Sequence, residues 1–146
     1  MNANRNFRLL GLLALALLAV SLAPTSASAQ SYKGYFTLPV ECRWGTTILP
    51  PGTYSVTLDS LAFPSMAKIQ GEGGHFFVMP TGVDAGEPSD QSTLVIARSG
   101  GKARVRTLSL GASGVIFWYA PPKREREVVA QVPELIERLP ITRGGK

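Results

Sequence analysis

Acid–base or triad chemistry has one histidine to work with in this chain, His75. It stands between Gly74 and Phe76 at the start of an apolar run. No serine lies in a G-x-S-x-G setting, and Gly111–Gly114 (GASG) does not supply one. His75 therefore reads as an ordinary strand-end residue, and no catalytic residue is assigned. The single cysteine, Cys42, falls on the same side of its segment as Val40 and Trp44. Only Arg43, on the opposite side, stands near enough in sequence to lower its pKa. A buried, inert side chain is favoured over a reactive thiol or an intermolecular disulfide. One histidine and one cysteine cannot build a structural zinc site without several carboxylates. Asp84, Glu87 and Asp90 share one loop, but their spacing matches no calcium loop, and a solvated acidic loop is the better reading. No metal site and no cofactor are expected.

Two groups remain that could meet a ligand. The first is aromatic: Trp44 and the run Phe117-Trp118-Tyr119. Side chains alternate across a strand, so Trp118 and the pair Phe117/Tyr119 cannot face the same core. On a sheet covered on one side, one set is exposed and can stack on a sugar or a partner protein. On a sheet covered on both sides, all three are core, and that is the favoured alternative. The second group is the basic stripe Lys102, Arg104 and Arg106, which Lys123 and Arg124 could extend. It suits an anionic envelope polymer or membrane surface, against the plainer reading of a solvated face that discourages edge pairing. The ligand-binding candidates are thus Trp118, Tyr119, Lys102, Arg104 and Arg106.

The elements that must hold these residues are strands. From Phe36 to Trp44 the alternation puts Phe36, Leu38, Val40, Cys42 and Trp44 on one side. Pro39 cannot donate to a ladder, so that strand is an edge or bends there. Leu49–Gly52 (LPPG) reads as a type II turn, with a strand before it and Tyr54, Val56 and Leu58 on one face after it. Met66–Gln70, a hairpin turn at Gly71–Gly74 and His75–Met79 follow. Pro80–Gln91 is the longest polar loop. Ser92–Ser99 is apolar on both faces, as in a central strand. In Lys102–Leu110 the apolar phase slips by one residue, which predicts a β-bulge near Arg106–Leu108. Val115–Ala120 is the most hydrophobic strand of the chain.

Beyond Pro121-Pro122 the composition changes. Lys123–Glu127 is a mixed-charge run, and Val128–Val132 could be one last strand. Pro133 is well placed to begin a helix, so Pro133–Leu139 is expected to make one or two helical turns that pack on the sheet or cover its open edge. The fold class is therefore all-β: a single β-sandwich or small antiparallel barrel of about 7–9 strands with a short C-terminal helical segment.

The first 29 residues read as a signal peptide. Arg5 and Arg8 precede the apolar run Leu9–Val20, and Ala27-Ser28-Ala29 presents small residues for cleavage. That run is short of the roughly 20 residues needed to span a bilayer. Residues 30–140 then form the β-domain, and residues 141–146 are expected to be a disordered tail. Without Arg5 and Arg8 the net charge falls from +5 to +3, no argument for nucleic acid. The expected product is exported, periplasmic or extracellular, with no stable membrane anchor after cleavage. It cannot form an internal disulfide.

At Leu49–Val56 (LPPGTYSV) the chain resembles the turn-plus-strand signature of bacterial exported prealbumin-like sandwiches, such as Cna B-type repeats. Only Lys33 precedes this turn in the mature chain, so the isopeptide chemistry of those domains is not carried over. The longer run FTLPVECRWG…LPPGTYSVTLDS, with PELIERLPI, is similar to small uncharacterised secreted β-sandwich proteins of environmental bacteria. That resemblance implies export and a compact β-fold, and no activity. The function expected is a non-enzymatic binding or structural module, with an envelope protein or polysaccharide as partner. Alternatives are a carbohydrate- or adhesin-type domain using Phe117–Tyr119, and a small barrel holding an apolar ligand.

Overall fold

The structure is a computed structural model that describes residues 30–119 and 133–145. The leader, Ala120, the Lys123–Glu127 charge run and the Val128–Val132 segment lie outside the described residues.

The alternation read at the start of the domain is realised in β1 (Tyr32–Leu38) and β2 (Cys42–Trp44). Phe36, Leu38, Cys42 and Trp44 are buried, and Val40 packs against them. Pro39 marks the bend between the two strands. β1 is no edge, since it pairs with both β4 and β11. The expected type II turn at LPPG is not a reversal. β3 (Thr47–Leu49) and β4 (Gly52–Leu58) continue one another past Pro50-Pro51, and Gly52, at φ 159°, is nearly extended and pairs with Leu38. The reversal lies at Gly45-Thr46, where Trp44 pairs with Thr47 and Gly45 takes φ 62°. The whole stretch is thus one long hairpin with prolines on both arms at the same level. Prolines cannot bridge a ladder, so both arms bend together and carry the hairpin from one layer into the other. The Tyr54 hydroxyl donates to the Pro50 carbonyl at 2.7 Å and braces that corner.

Then come β5 (Ala67–Gly71), β6 (Gly74–Val78), β7 (Gly82–Ala85), β8 (Ser92–Ser99) and β9 (Lys102–Leu110). A 3-10 turn at Gly111–Ser113, β10 (Val115–Trp118) and β11 (Leu135–Arg143) complete the set. Nine strands form a nearly closed, barrel-like path in the order β3-β2-β9-β8-β11-β1-β4-β5-β6, with β10 beside β9 and β7 beside β10. The two ends of the path approach one another: a Cβ on Gly45 would stand 3.3 Å from Val78 Cγ1 of β6.

The bulge is where the phase slip puts it. Val95 pairs with Thr107 and Ile96 with Val105, so Arg106 is the extra residue. The helical segment is not observed: among the described residues there is no α-helix, and Leu135–Leu139 belongs to β11. β11 also continues through Ile141–Arg143, into the stretch expected to be a loose tail, and Ile141 is buried. The cause is tertiary. β11 pairs with β8 along Leu135–Ile141 and with β1 at Thr142 and Arg143, so it satisfies backbone groups of both layers. Among the described residues it has a partner on one side only over most of its length, which leaves room for Pro140. β7, in turn, forms inside the loop expected to be irregular, and it owes its existence to β10.

Aromatic rings bridge the layers inside. Phe36 lies 5.8 Å from both Tyr54 and Trp44, and Trp44 meets Tyr119 edge-on at 5.2 Å.

Candidate functional site

β10 settles the aromatic question by alternation. Phe117 is fully buried and Tyr119 is 4% exposed, while Trp118 between them is 37% exposed on the outer face. Tyr119 therefore does not share a surface with Trp118. It packs on Trp44, and burial pushes its hydroxyl pKa up. Trp118 is held in place: its indole Nε1 donates to Asp84 Oδ2 at 2.7 Å, across the β10–β7 pair. Asp84, expected as part of a solvated acidic loop, is thus the residue that orients the indole. The signal for it is tertiary, because Gly82–Ala85 carries little apolar pattern of its own.

Lys102, Arg104 and Arg106 lie on the outer face of β9, as the stripe implied, and the bulge turns Arg106 outward. They are not equally available. Glu134, immediately before β11, pairs with both Arg104 and Arg106, at 3.2 Å to Arg106. Arg104 and Glu134 are largely covered, whereas the Arg106 side chain is 46% exposed. Thr107 pairs with Trp118, so Arg106 and the indole belong to neighbouring positions on one sheet face. The two sequence groups, aromatic and basic, converge there. Lys123 and Arg124 lie outside the described residues.

The remaining candidates lie apart from this face. His75 is exposed on β6 and meets Phe77 edge-on at 5.8 Å. No group of three or more His, Cys, Asp or Glu side chains is placed to hold a metal ion among the described residues. Cys42 has no exposed surface, and burial pushes its pKa up to about 12; Arg98 nearby opposes that shift and Glu137 reinforces it. Arg98 and Glu137 form an ion pair of 2.6 Å, both on the Cys42 side of the sheet. The folded thiol keeps its proton where an unfolded one loses it. Stability should therefore fall as pH rises from about 9 towards 12. Urea melts across that range should show the decline, with a shallower slope in Cys42→Ala. In the native protein a thiol reagent at pH 8 should react only after unfolding.

No protein-family model matches this chain, and no curated protein or solved structure matches it at a significant level.

Proposed function

We propose that this protein is an exported, non-enzymatic binding module whose working surface is the outer face of β9, β10 and β7. The observation that carries this reading is Trp118: a large ring left 37% exposed between two buried neighbours and fixed by Asp84. A solvent-facing tryptophan costs the fold apolar burial, and fixing its orientation lowers the entropy lost when something stacks on it. Arg106 beside it supplies a charged donor at the same surface. The interior, by contrast, is filled by Phe36, Trp44, Tyr54, Phe117 and Tyr119. That packing favours the outer face over an internal apolar cavity as the place for a ligand. Export rests on the leader pattern Arg5–Ala29.

The test uses the two tryptophans as reporters. Envelope polysaccharides and a glycan array should quench the Trp118 emission and leave buried Trp44 unaffected. Trp118→Ala should weaken binding about three- to tenfold, the equivalent of roughly 0.5–1.5 kcal/mol for a lost ring contact, with an unchanged melting temperature. Binding that survives Trp118→Ala intact would place the ligand elsewhere.

A further inference from the structure

We infer that the ligand of this face is an acidic polysaccharide, one whose rings stack on Trp118 and whose carboxylates or sulfates meet the β9 arginines. The inference rests on the reading of the outer face as a binding surface, and charge and layout carry it further. Among the described residues the outer faces of β9, β11 and β7 present Lys102, Arg104, Arg106 and Arg138 against Asp84 and Glu134. That is four cations to two anions, a surplus of two. The surplus is graded along one strand: starting from Trp118 beside Thr107, β9 passes Arg106, Arg104 and Lys102 in turn. Thr107 to Lys102 is five steps of roughly 3.3 Å, about 16 Å, so a polymer laid along β9 meets a ring platform first and cations after it.

The polar neighbours narrow the class. Asp84 is exposed and gives one oxygen to the indole, leaving a second to accept a sugar hydroxyl. The same carboxylate repels a phosphate placed on the ring, which disfavours a nucleic-acid strand, where phosphates flank every stacked base. Thr93 and Ser109, paired across β8 and β9 on this face, provide further hydroxyls beside the aliphatic Val95 and Ile116. Glu134 sets the strength. It neutralises much of the charge of two arginines at once, so removing its charge should improve the site for a polyanion.

The experiment titrates the full mature protein with polygalacturonate and with its fully methyl-esterified form, following Trp118 emission at low and high salt. Expected are at least tenfold tighter binding of the acid form, loss of that preference at high salt, and at least threefold weakening by Arg106→Gln. Glu134→Gln should tighten polygalacturonate binding by threefold or more while leaving the ester unchanged. Arg106 is the exposed member of the cluster, so Arg106→Gln keeps the test valid should Glu134→Gln lower the melting temperature. Equal binding of acid and ester, both weakened three- to tenfold in Trp118→Ala by calorimetry, would overturn the acidic class and leave the binding surface standing. No response of Trp118 to either polymer or to the glycan array would overturn both. Oligothymidylate or phosphatidylglycerol vesicles displacing polygalacturonate would overturn the polysaccharide assignment.

Discussion

Trp44→Ala is expected to cost about 3–5 kcal/mol, the range for deleting a buried indole from a close-packed core. Trp44 has no exposed surface and stands between Phe36 and Tyr119, so its loss opens a void at the point where the two layers touch. A domain of this size has a total stability of roughly 5–15 kcal/mol, and such a loss is a large share of it. The melting temperature should fall on the order of 10–20 °C, read by circular dichroism in the β-sheet region. Trp44→Phe should lose less than Trp44→Ala. Its ring keeps part of the contact, and the indole Nε1, buried with no hydrogen-bond partner among the described residues, is removed at no cost in bonds. Trp118→Ala gives the contrast, since its ring is already more than a third exposed. Comparable melting losses in the two alanine variants would refute the assignment of one tryptophan to the core and the other to the surface.

Gly111→Ala is the second large effect, and the reason is crowding by backbone. A Cβ there would lie 2.5 Å from the Ser89 carbonyl oxygen and 2.6 Å from that of Gln91. Neither can swing away as a side chain would. Gly111 N donates to Ser92 Oγ at 3.1 Å, and its carbonyl accepts from Ser89 N at 2.9 Å. The residue is therefore pinned on two sides while the third is closed. Overpacking against such a frame should cost about 3 kcal/mol or more. It should also disturb β10, which starts four residues later and carries Trp118. Gly73→Ala, where a Cβ would meet nothing within 4 Å, should be close to neutral in the same denaturant melts. A Gly111→Ala protein as stable as Gly73→Ala would mean that the loop before β8 does not press on the 3-10 turn as described.

Much of the barrel is legible from period-two patterns. The inward set Phe36, Leu38, Cys42, Trp44, Tyr54, Val56 and Leu58 follows from alternation alone, because any one-sided sheet sorts these side chains the same way. The bulge at Arg106 is equally local, since one extra residue shifts the phase of everything after it. β11 is less legible, although Leu135, Glu137, Leu139 and Ile141 do alternate with Ile136, Arg138 and Pro140. Its charges and the leading Pro133 suit a helix about as well. What decides between the two is the unpaired side of β8, which a helix would leave without hydrogen bonds.

The all-β class, the core residues on β1, β2, β4 and β9, and the opposite faces of Trp118 and its neighbours are written in the residues themselves, because each depends only on the geometry of one strand. Three features come from folding alone: Pro39 and Pro50-Pro51 bend one hairpin together, Asp84 clamps the Trp118 indole, and Glu134 draws on two arginines of β9. Those are matters of register between segments far apart in the chain. A strand's own pattern carries its faces, whereas its neighbours are chosen by the competition of every unpaired backbone edge for a partner.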